Sequence, residues 1–390
     1  MSNLRWSPYL LLSGDKATHT LSLHFGGTEH RKLLLILGKG FDVRMNYVLN
    51  KIKELPADIN LDCLLICFND GSDLEDSKHK QYVDSNIEEL RRLVPESNIR
   101  EKNINIWKEE GNRRRRVGDR DAAYLIKDFH ELAGYTDIII DISALPRSIY
   151  FSLIGKVLSI IDNRPVESNA PNLIVCVAEN PSIDSNINDE GLDKDVSFLM
   201  GFMGGIKPSP AERTEPLIWL PLLGEGKKSH MQIASEGLVP DEICPIFPYP
   251  SKVSHRPDKL LIDYNKLLFD ELRIEPQNIM YAPERNPFEV YKILVNTIKN
   301  YSKSLKELNG CRVAISAFSS KLLSIGTLLA AYQINNVEGD VRVGLTTVDS
   351  QGYSLEKGFN FEQTSLSSEL FVIWLTGEPY EEDEQTIGKH

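Results

Sequence analysis

Apolar residues make up 41% of the 390-residue chain, yet no uninterrupted apolar run approaches the roughly 18 residues that a bilayer-spanning helix needs. The first twelve residues offer Arg5 and a short apolar patch, Tyr9 to Leu12, but no hydrophobic core with a small-residue cleavage site. A soluble, cytoplasmic protein with no membrane partner is expected. Cysteine is scarce: the five (Cys63, Cys67, Cys176, Cys244, Cys311) are odd in number and most lie in apolar runs. That pattern speaks for buried free thiols in a reducing compartment rather than a disulfide scaffold. Cys63 and Cys67 share a face of one strand, but no second Cys/His pair with zinc-finger spacing completes a metal site, so no metal is expected. Basic charge is in the minority, with 44 Lys plus Arg against 56 Asp plus Glu and a net charge of −12. This argues against a broad DNA-coating surface, because phosphate binding needs concentrated cations; a local basic site is untouched by it. Low-complexity sequence is lacking, which excludes a fibre or a mainly disordered chain. None of the eight histidines stands beside a nucleophile in a recognisable catalytic order.

What the chain does have is a rhythm. Leu33 to Leu37 is a compact apolar run ending at Gly38-Lys39-Gly40, and Asp42 to Leu55 carries apolar residues at helical spacing. Strands are predicted at 61–68, 104–107, 137–142 and 173–177, separated by helices at 82–93, 119–132 and 146–161. Alternation of this kind implies a parallel sheet with helices on both faces. Asn180 to Lys194 interrupts it with Asn, Asp, Ser and Pro. The order then restarts, with strands at 217–223, 243–247, 279–281, 312–315, 341–346 and 369–375 and helices at 229–236, 258–272, 287–305 and 321–333. The expected class is α/β: two Rossmann-like parallel-sheet domains related by internal duplication. The boundaries read as a first domain over 1–180, a linker over 181–215, a second domain over 216–377 and an acidic tail over 378–390.

Three matches in the same order support the duplication, each at a strand-to-helix junction. Leu37-Gly38-Lys39-Gly40 corresponds to Leu223-Gly224-Glu225-Gly226. Asp119-Arg120-Asp121 corresponds to Glu284-Arg285-Asn286, and Ile142-Ser143-Ala144 to Ile315-Ser316-Ala317.

All three segments fall at the carboxyl edge of a sheet, where open α/β folds bind ligands. Gly38 and Gly40 permit a sharp turn, the following helix would aim its amides at an anion, and Lys39 and Arg44 would add charge. The run is too short for a Walker A loop and does not continue as Gly-x-Gly-x-x-Gly, so on its own it reads as a turn with a structural role. Pro146 suits the first turn of a helix, and Ser143 would cap that helix or donate to a ligand. Arg147 sits against the helix dipole, which an anion would relieve. In the second half, Gly224, Lys227, Ser316, Ser319 and Lys321 form the corresponding cradle. Arg113, Arg114, Arg115 and Arg116 stand on a predicted exposed loop. They suit a nucleic acid, a polyanion or an acidic partner, or equally a solvated loop paired with Glu109, Glu110 and Asp119.

A glycine turn after strand one and a hydroxyl-rich turn after strand four resemble the CARF domain. Two such domains in one chain resemble the SAVED architecture. Asp141-Ile142-Ser143 fits the family's fourth-strand ending, whereas Ala144-Leu145-Pro146-Arg147 replaces its usual glycines and lysine. The resemblance covers about residues 30–180 and 215–350. It implies a nucleotide sensor, including for cyclic oligonucleotides, in prokaryotic antiviral defence, acting through a partner effector because no effector module is evident. The two clefts would then form a pseudo-symmetric pocket, and a bound nucleotide is the one ligand implied, with no certain cofactor. Two alternatives stand beside this reading. One is a nucleotide-processing phosphodiesterase or phosphotransfer enzyme using Arg120, Asp121, His230 and Glu284. The other is a scaffold subunit of a defence or nucleic-acid complex contacting its partner through Arg113 to Arg116.

Overall fold

The computed structural model describes residues 4–27, 30–69, 79–110, 113–207, 209–337 and 341–380. In chain order the elements are β1 (Leu10–Ser13), α1 (Gly14–Phe25), β2 (Lys32–Lys39), α2 (Tyr47–Lys53), β3 (Asn60–Asn69), α3 (Lys80–Leu93) and β4 (Ile99–Asn105). A ribbon of β5 (Trp107–Glu110) and β6 (Arg113–Arg116) leads to α4 (Gly118–Ala123), β7 (Asp137–Asp141), α5 (Arg147–Asp162), β8 (Asn172–Glu179) and α6 (Pro181–Asp184). Then come β9 (Ile187–Leu192), β10 (Ser197–Met203), β11 (Leu217–Leu222), α7 (Lys228–Leu238), β12 (Glu242–Ile243), β13 (Ile246–Pro248) and α8 (Arg256–Asn265). The remainder is β14 (Met280–Ala282), α9 (Pro287–Ser304), β15 (Arg312–Ala317), α10 (Lys321–Val337), β16 (Arg342–Thr347), β17 (Ser350–Leu355), α11 (Phe361–Ser365) and β18 (Glu369–Thr376).

The chain divides into two compact units. The first comprises Pro8–Asn188 and Leu355–His390, the second Met1–Ser7 and Asp189–Ser354. In the first unit the sheet runs β1-β18-β8-β7-β2-β3-β4, with β8 through β4 parallel and β18 and β1 antiparallel at one side. In the second it runs β10-β16-β15-β11-β13-β14, with β12 also on β11 and β10 antiparallel to β16. Both parallel runs therefore have one order: the first strand central, the second and third to one side, the fourth and fifth to the other. That is the Rossmann order, and its central crevice opens where the connections reverse direction.

The strands follow from their composition. Leu33 to Leu37, Ile138 to Ile140 and Leu173 to Val177 are all buried, as continuous apolar runs must be when helices cover both faces. Helix α9 buries Phe288, Tyr291, Leu294, Val295 and Ile298 along one stripe, the spacing of an amphipathic helix. The N-terminal segment joins the second unit: Trp6 is buried, its ring 5.3 Å from that of Tyr291 and edge-on to it.

Several sequence expectations are corrected. The strand at 369–376 belongs to the first sheet, between β1 and β8, not to the second domain. The stretch 181–215 is not a linker, since it holds α6, β9 paired with β17, and β10 in the second sheet. The helix expected from Asp42 begins only at Tyr47. The Arg44 N–H donates to Asp42 Oδ1 at 3.0 Å and the Met45 N–H to the Asp42 carbonyl at 3.0 Å, a local turn that competes with helix. The helix expected at 119–132 is α4 plus a short turn at Phe129–Glu131, restarted by Asp128 accepting from the His130 N–H. The arginine run is a strand, not a loop: Arg113 to Arg116 pair with Glu110 to Trp107. The acidic tail beyond Tyr380 lies outside the described residues, but Glu378 is not a free tail residue.

Glu378 instead closes a polar cluster at the amino-terminal edge of the first sheet. His24 Nε2 lies 2.6 Å from Asp137 Oδ1, Arg31 Nη1 donates to Glu378 Oε1 at 2.7 Å, and Asn172 Nδ2 donates to both carboxylates at 3.0 Å. Burial alone would raise the Asp137 pKa; hydrogen bonds from His24 and Thr136 and the charge of Arg31 reverse this and hold it below the ordinary aspartate range. Glu378 is held low in the same way, by Arg31 and Asn172 against its own burial.

A carboxylate whose pKa falls on folding stabilises the native state above its unfolded pKa, near 4, and that contribution disappears as pH drops through the folded value. Asp137→Asn is therefore expected to cost about 2–3 kcal/mol at pH 7 in urea unfolding, the worth of hydrogen bonds to a buried charge. The deficit should be smaller at pH 3 than at pH 7, and it should vanish only once pH has fallen below the folded value. An equal deficit at both pH values would mean that the carboxylate charge contributes nothing.

Candidate functional site

At the carboxyl edge of the first sheet, Gly38 and Lys39 are still inside β2, opposite Ile66 and Cys67, rather than in a turn. Gly38 is needed for packing: a Cβ there would come within 2.5 Å of Leu145 Cδ2 in the segment after β7. The following loop is fixed by the buried Asn86, whose Nδ2 donates to the carbonyls of Gly40 at 2.9 Å and Asp42 at 3.0 Å.

Arg44 does not line an open edge. It is 2% exposed, and its Nε and Nη2 donate to the Asp42 carboxylate at 3.0 and 2.8 Å. Nη2 also reaches Asp184 Oδ1 at 2.8 Å, and Nη1 the Ala178 carbonyl at 3.1 Å. Burial would lower its pKa; Asp42 and Asp184 more than reverse this and keep it charged. Ser143 is likewise internal. Its Oγ accepts the Ala178 N–H at 2.9 Å and its own N–H donates to Asp141 Oδ1 at 2.8 Å, so it joins β7 to β8 and leaves the N-cap position of α5 to Pro146. Lys39 and Arg147 remain half-buried at this edge.

The second sheet presents a different edge. A Cβ on Gly224 would stand 2.3 Å from the Phe318 carbonyl oxygen and 2.9 Å from Ser319 Cα, so the loops after β11 and β15 touch backbone to backbone. The Gly224 carbonyl accepts from Tyr264 Oη at 2.8 Å, and Gly226, at φ +69°, turns the chain into α7. Ser316 is fully buried. It accepts from Trp219 Nε1 at 2.9 Å and bonds to Thr346 Oγ1, so it is a structural residue here and not part of a cradle. Ser320 caps α10, accepting the Leu323 N–H at 3.3 Å, while Ser319 and Lys321 stay half-buried at the same turn.

Lys227 ends the glycine loop and pairs with Asp189 of β9, whose Oδ2 is also 3.5 Å from His230 Nε2. Ser350 of β17 donates to the other oxygen, Asp189 Oδ1. Burial pushes the Asp189 pKa up; Lys227, Ser350 and His230 together bring it below the ordinary range. Beside this, Arg256 forks onto Glu225 at 3.0 and 3.2 Å and pairs with Glu284, which also accepts the Lys252 N–H at 2.8 Å.

These contacts decide what can react. Of the residues considered for acid–base chemistry, Arg120 and Asp121 sit on α4 of the first unit, 3.8 Å apart and partly exposed. His230 and Glu284 belong to the second unit, the latter engaged by Arg256. They do not form one constellation within either unit. Burial pushes the Cys63 thiol up to about 12 and the Cys67 thiol up to about 11, which keeps both protonated and unreactive. Among the described residues no group of three or more His, Cys, Asp or Glu is arranged to hold a metal. An open depression of about 840 Å³ lies at the opposite, amino-terminal edge of the first sheet, between Lys32, Lys53 and Asn60. Asp189, Asp184, Arg256 and Ser350 were not singled out from sequence, because their partners are remote and their local composition reads as turn.

No protein-family model matches the chain, and no curated protein matches it. Among solved structures it is similar to a Type III CRISPR defence DNA nuclease activated by cyclic oligoadenylate, at 8% identity and a TM-score of 0.45, over 83% of this chain and 67% of that one. It is also similar to UDP-GlcNAc 2-epimerase from Neisseria meningitidis bound to UDP-GlcNAc, at 10% identity and a TM-score of 0.21, over 80% and 86% of the two chains. At these scores the likenesses assign neither ligand nor reaction to this chain.

Gly224→Ala is expected to destabilise the protein by about 2 kcal/mol or more, because backbone rather than a flexible side chain occupies the space. Gly226→Ala meets open space and should cost only about 1 kcal/mol for its left-handed backbone. Ser316→Ala should cost about 1–2 kcal/mol by stranding the Trp219 N–H. Urea unfolding followed by tryptophan fluorescence ranks the three, and an equal cost at the two glycines would refute the close-approach argument.

Proposed function

We propose that the chain is a nucleotide-binding regulatory protein whose two units arose by duplication, and that phosphates are held at the carboxyl edges. The observation that carries this reading is the shared strand order, with a glycine pair at the end of each central strand and half-buried basic side chains (Lys39 and Arg147, Lys227 and Lys321) at each carboxyl edge. In the second unit Gly224 allows close approach, and Lys227, Ser319 and Lys321 supply donors. In the first unit Lys39 and Arg147 do so, while Gly38, Gly40, Arg44 and Ser143 build the scaffold there and Ser316 does so in the second unit. The resemblance to CARF and SAVED proteins supports a cyclic oligonucleotide as the ligand, a place in antiviral defence, and output through a partner effector. Buried free thiols fit a cytoplasmic location.

A second reading, a scaffold subunit contacting a polyanion, is favoured by one observation: four consecutive arginines occupy one strand of a two-stranded ribbon. It predicts salt-sensitive RNA binding that is lost when Arg113 to Arg116 are replaced by serine.

The primary reading is tested by mass spectrometry of small molecules released on denaturation, together with thermal shifts against mono-, di- and cyclic nucleotides. A nucleotide at a hundredfold excess over its Kd should stabilise the chain by about 2.7 kcal/mol and be recovered intact by chromatography. Arg147→Ala should weaken binding at the first unit's edge and Lys321→Ala binding at the second unit's edge, each by about tenfold, the loss of one charge-assisted hydrogen bond. Unchanged affinity would mean that these edges are not the site, and turnover of the ligand would make the protein an enzyme.

A further inference from the structure

The Asp189 carboxylate stands at the N-terminal end of α7, bonded by Lys227, 3.5 Å from His230 and held from the far side by Ser350. That is where the proposed function needs an anion. We infer that Asp189 is an internal occupant of the phosphate position in the second unit, and that a ligand phosphate displaces it. The inference rests on the nucleotide-binding reading and adds to it a mechanism of regulation.

Three features carry it. The first is chemistry: Lys227 and His230 are donors suited to a phosphate oxygen, and a phosphate presents more charge and more oxygens than one carboxylate. The second is accessibility. The side chain of Lys227 is 28% exposed, that of Asp189 19% and that of His230 7%, so the pair is sheltered yet reachable from solvent. The third is where Asp189 sits in the chain. It lies on β9, which pairs with β17, and the divisions between the two units fall within these strands, after Asn188 and after Ser354. Two of the three chain crossings between the units therefore run through the ribbon that Asp189 anchors. The third crossing is at Ser7–Pro8.

Exchange of carboxylate for phosphate then has two coupled consequences. The tethered carboxylate competes with ligand, so apparent affinity is reduced by the fraction of chains in which the position is already filled. Ligand binding in turn frees Asp189 and loosens the ribbon. By linkage, anything that tightens the ribbon weakens the ligand, which gives a partner protein a way to read occupancy without touching the nucleotide.

The test compares the wild-type chain with Asp189→Asn and Lys227→Ala. Binding of AMP and of cyclic tetra-adenylate is measured by calorimetry, and hydrogen exchange is followed at the amides of residues 187–192 and 350–355. Asparagine preserves the size of the side chain while removing its charge. Both variants should speed ribbon exchange without ligand, but they should move affinity in opposite directions. Asp189→Asn should bind about tenfold tighter or more, and Lys227→Ala about tenfold weaker or more. Ligand should raise ribbon exchange in the wild type toward the level of Asp189→Asn. If the wild type binds and Lys227→Ala weakens it, but Asp189→Asn binds no tighter or ligand leaves the ribbon unchanged, the displacement mechanism is wrong and the nucleotide reading stands. If neither the wild type nor Asp189→Asn binds either probe, both are wrong.

Discussion

Strand β18 pairs antiparallel with β8 on one side and with β1 on the other, yet it reaches the first sheet only after the chain has built the whole of the second unit. Apolar burial drives the return. Phe371, Val372, Ile373 and Trp374 are all buried, each worth about 1.5–3 kcal/mol of apolar burial. The end of the strand is closed by one side chain, Asn172. Its Oδ1 accepts from Trp374 Nε1 at 3.2 Å and from the Glu378 N–H at 2.9 Å, while its Nδ2 serves Asp137 and Glu378. The cluster with His24 and Arg31 follows from this closure, because β18 brings Glu378 to the start of β7.

The same principle, that a buried polar group must find partners inside the protein, shapes the carboxyl edges. It separates residues that look alike in sequence. Arg44 and Lys227 follow the central parallel strands β2 and β11, and each meets an aspartate from the segment 184–189. Arg44 is sealed under Asp42, Asp184 and the Ala178 carbonyl, whereas Lys227 keeps a face toward solvent. One unit buries its cation fully and the other leaves it part-exposed. Ser143 and Ser316, at matched positions, have both become internal ties between neighbouring strands.

Where the sequence was legible, a local signal existed. The parallel strands show as continuous apolar runs, α9 and α10 as long helical patterns, and the loops after β2 and β11 as glycine pairs. β9 and β17 were not recognised because the strands of an isolated ribbon carry mixed polarity and no strong period, while β1 is only four residues long and β10 is interrupted by Gly201 within an irregular, bulged pairing. The placement of β18 could not be read locally at all, since an apolar strand fits either sheet and only its non-local partners decide. At the candidate site, composition located the right loops. It could not tell which of their polar side chains the fold would engage itself, which is why Arg44, Ser143 and Ser316 read as donors and Lys227 could not be matched with Asp189.

The late arrival of β18 has a consequence for the growing chain. Among the described residues β1 pairs with β18 alone, and β8 pairs on its outer side with the same strand. While the ribosome is making residues 189–354, the first sheet therefore carries an open edge at β8, whose Leu173 to Val177 form one of the most apolar runs in the protein. An unpaired apolar edge is a template for pairing with other chains. The second unit draws on Arg5 and Trp6 of the N-terminal segment and otherwise on residues 189–354, which emerge before β18. The protein is thus at its most adhesive in the interval before its last strand emerges, and its yield in the cell depends on how that edge is shielded until then.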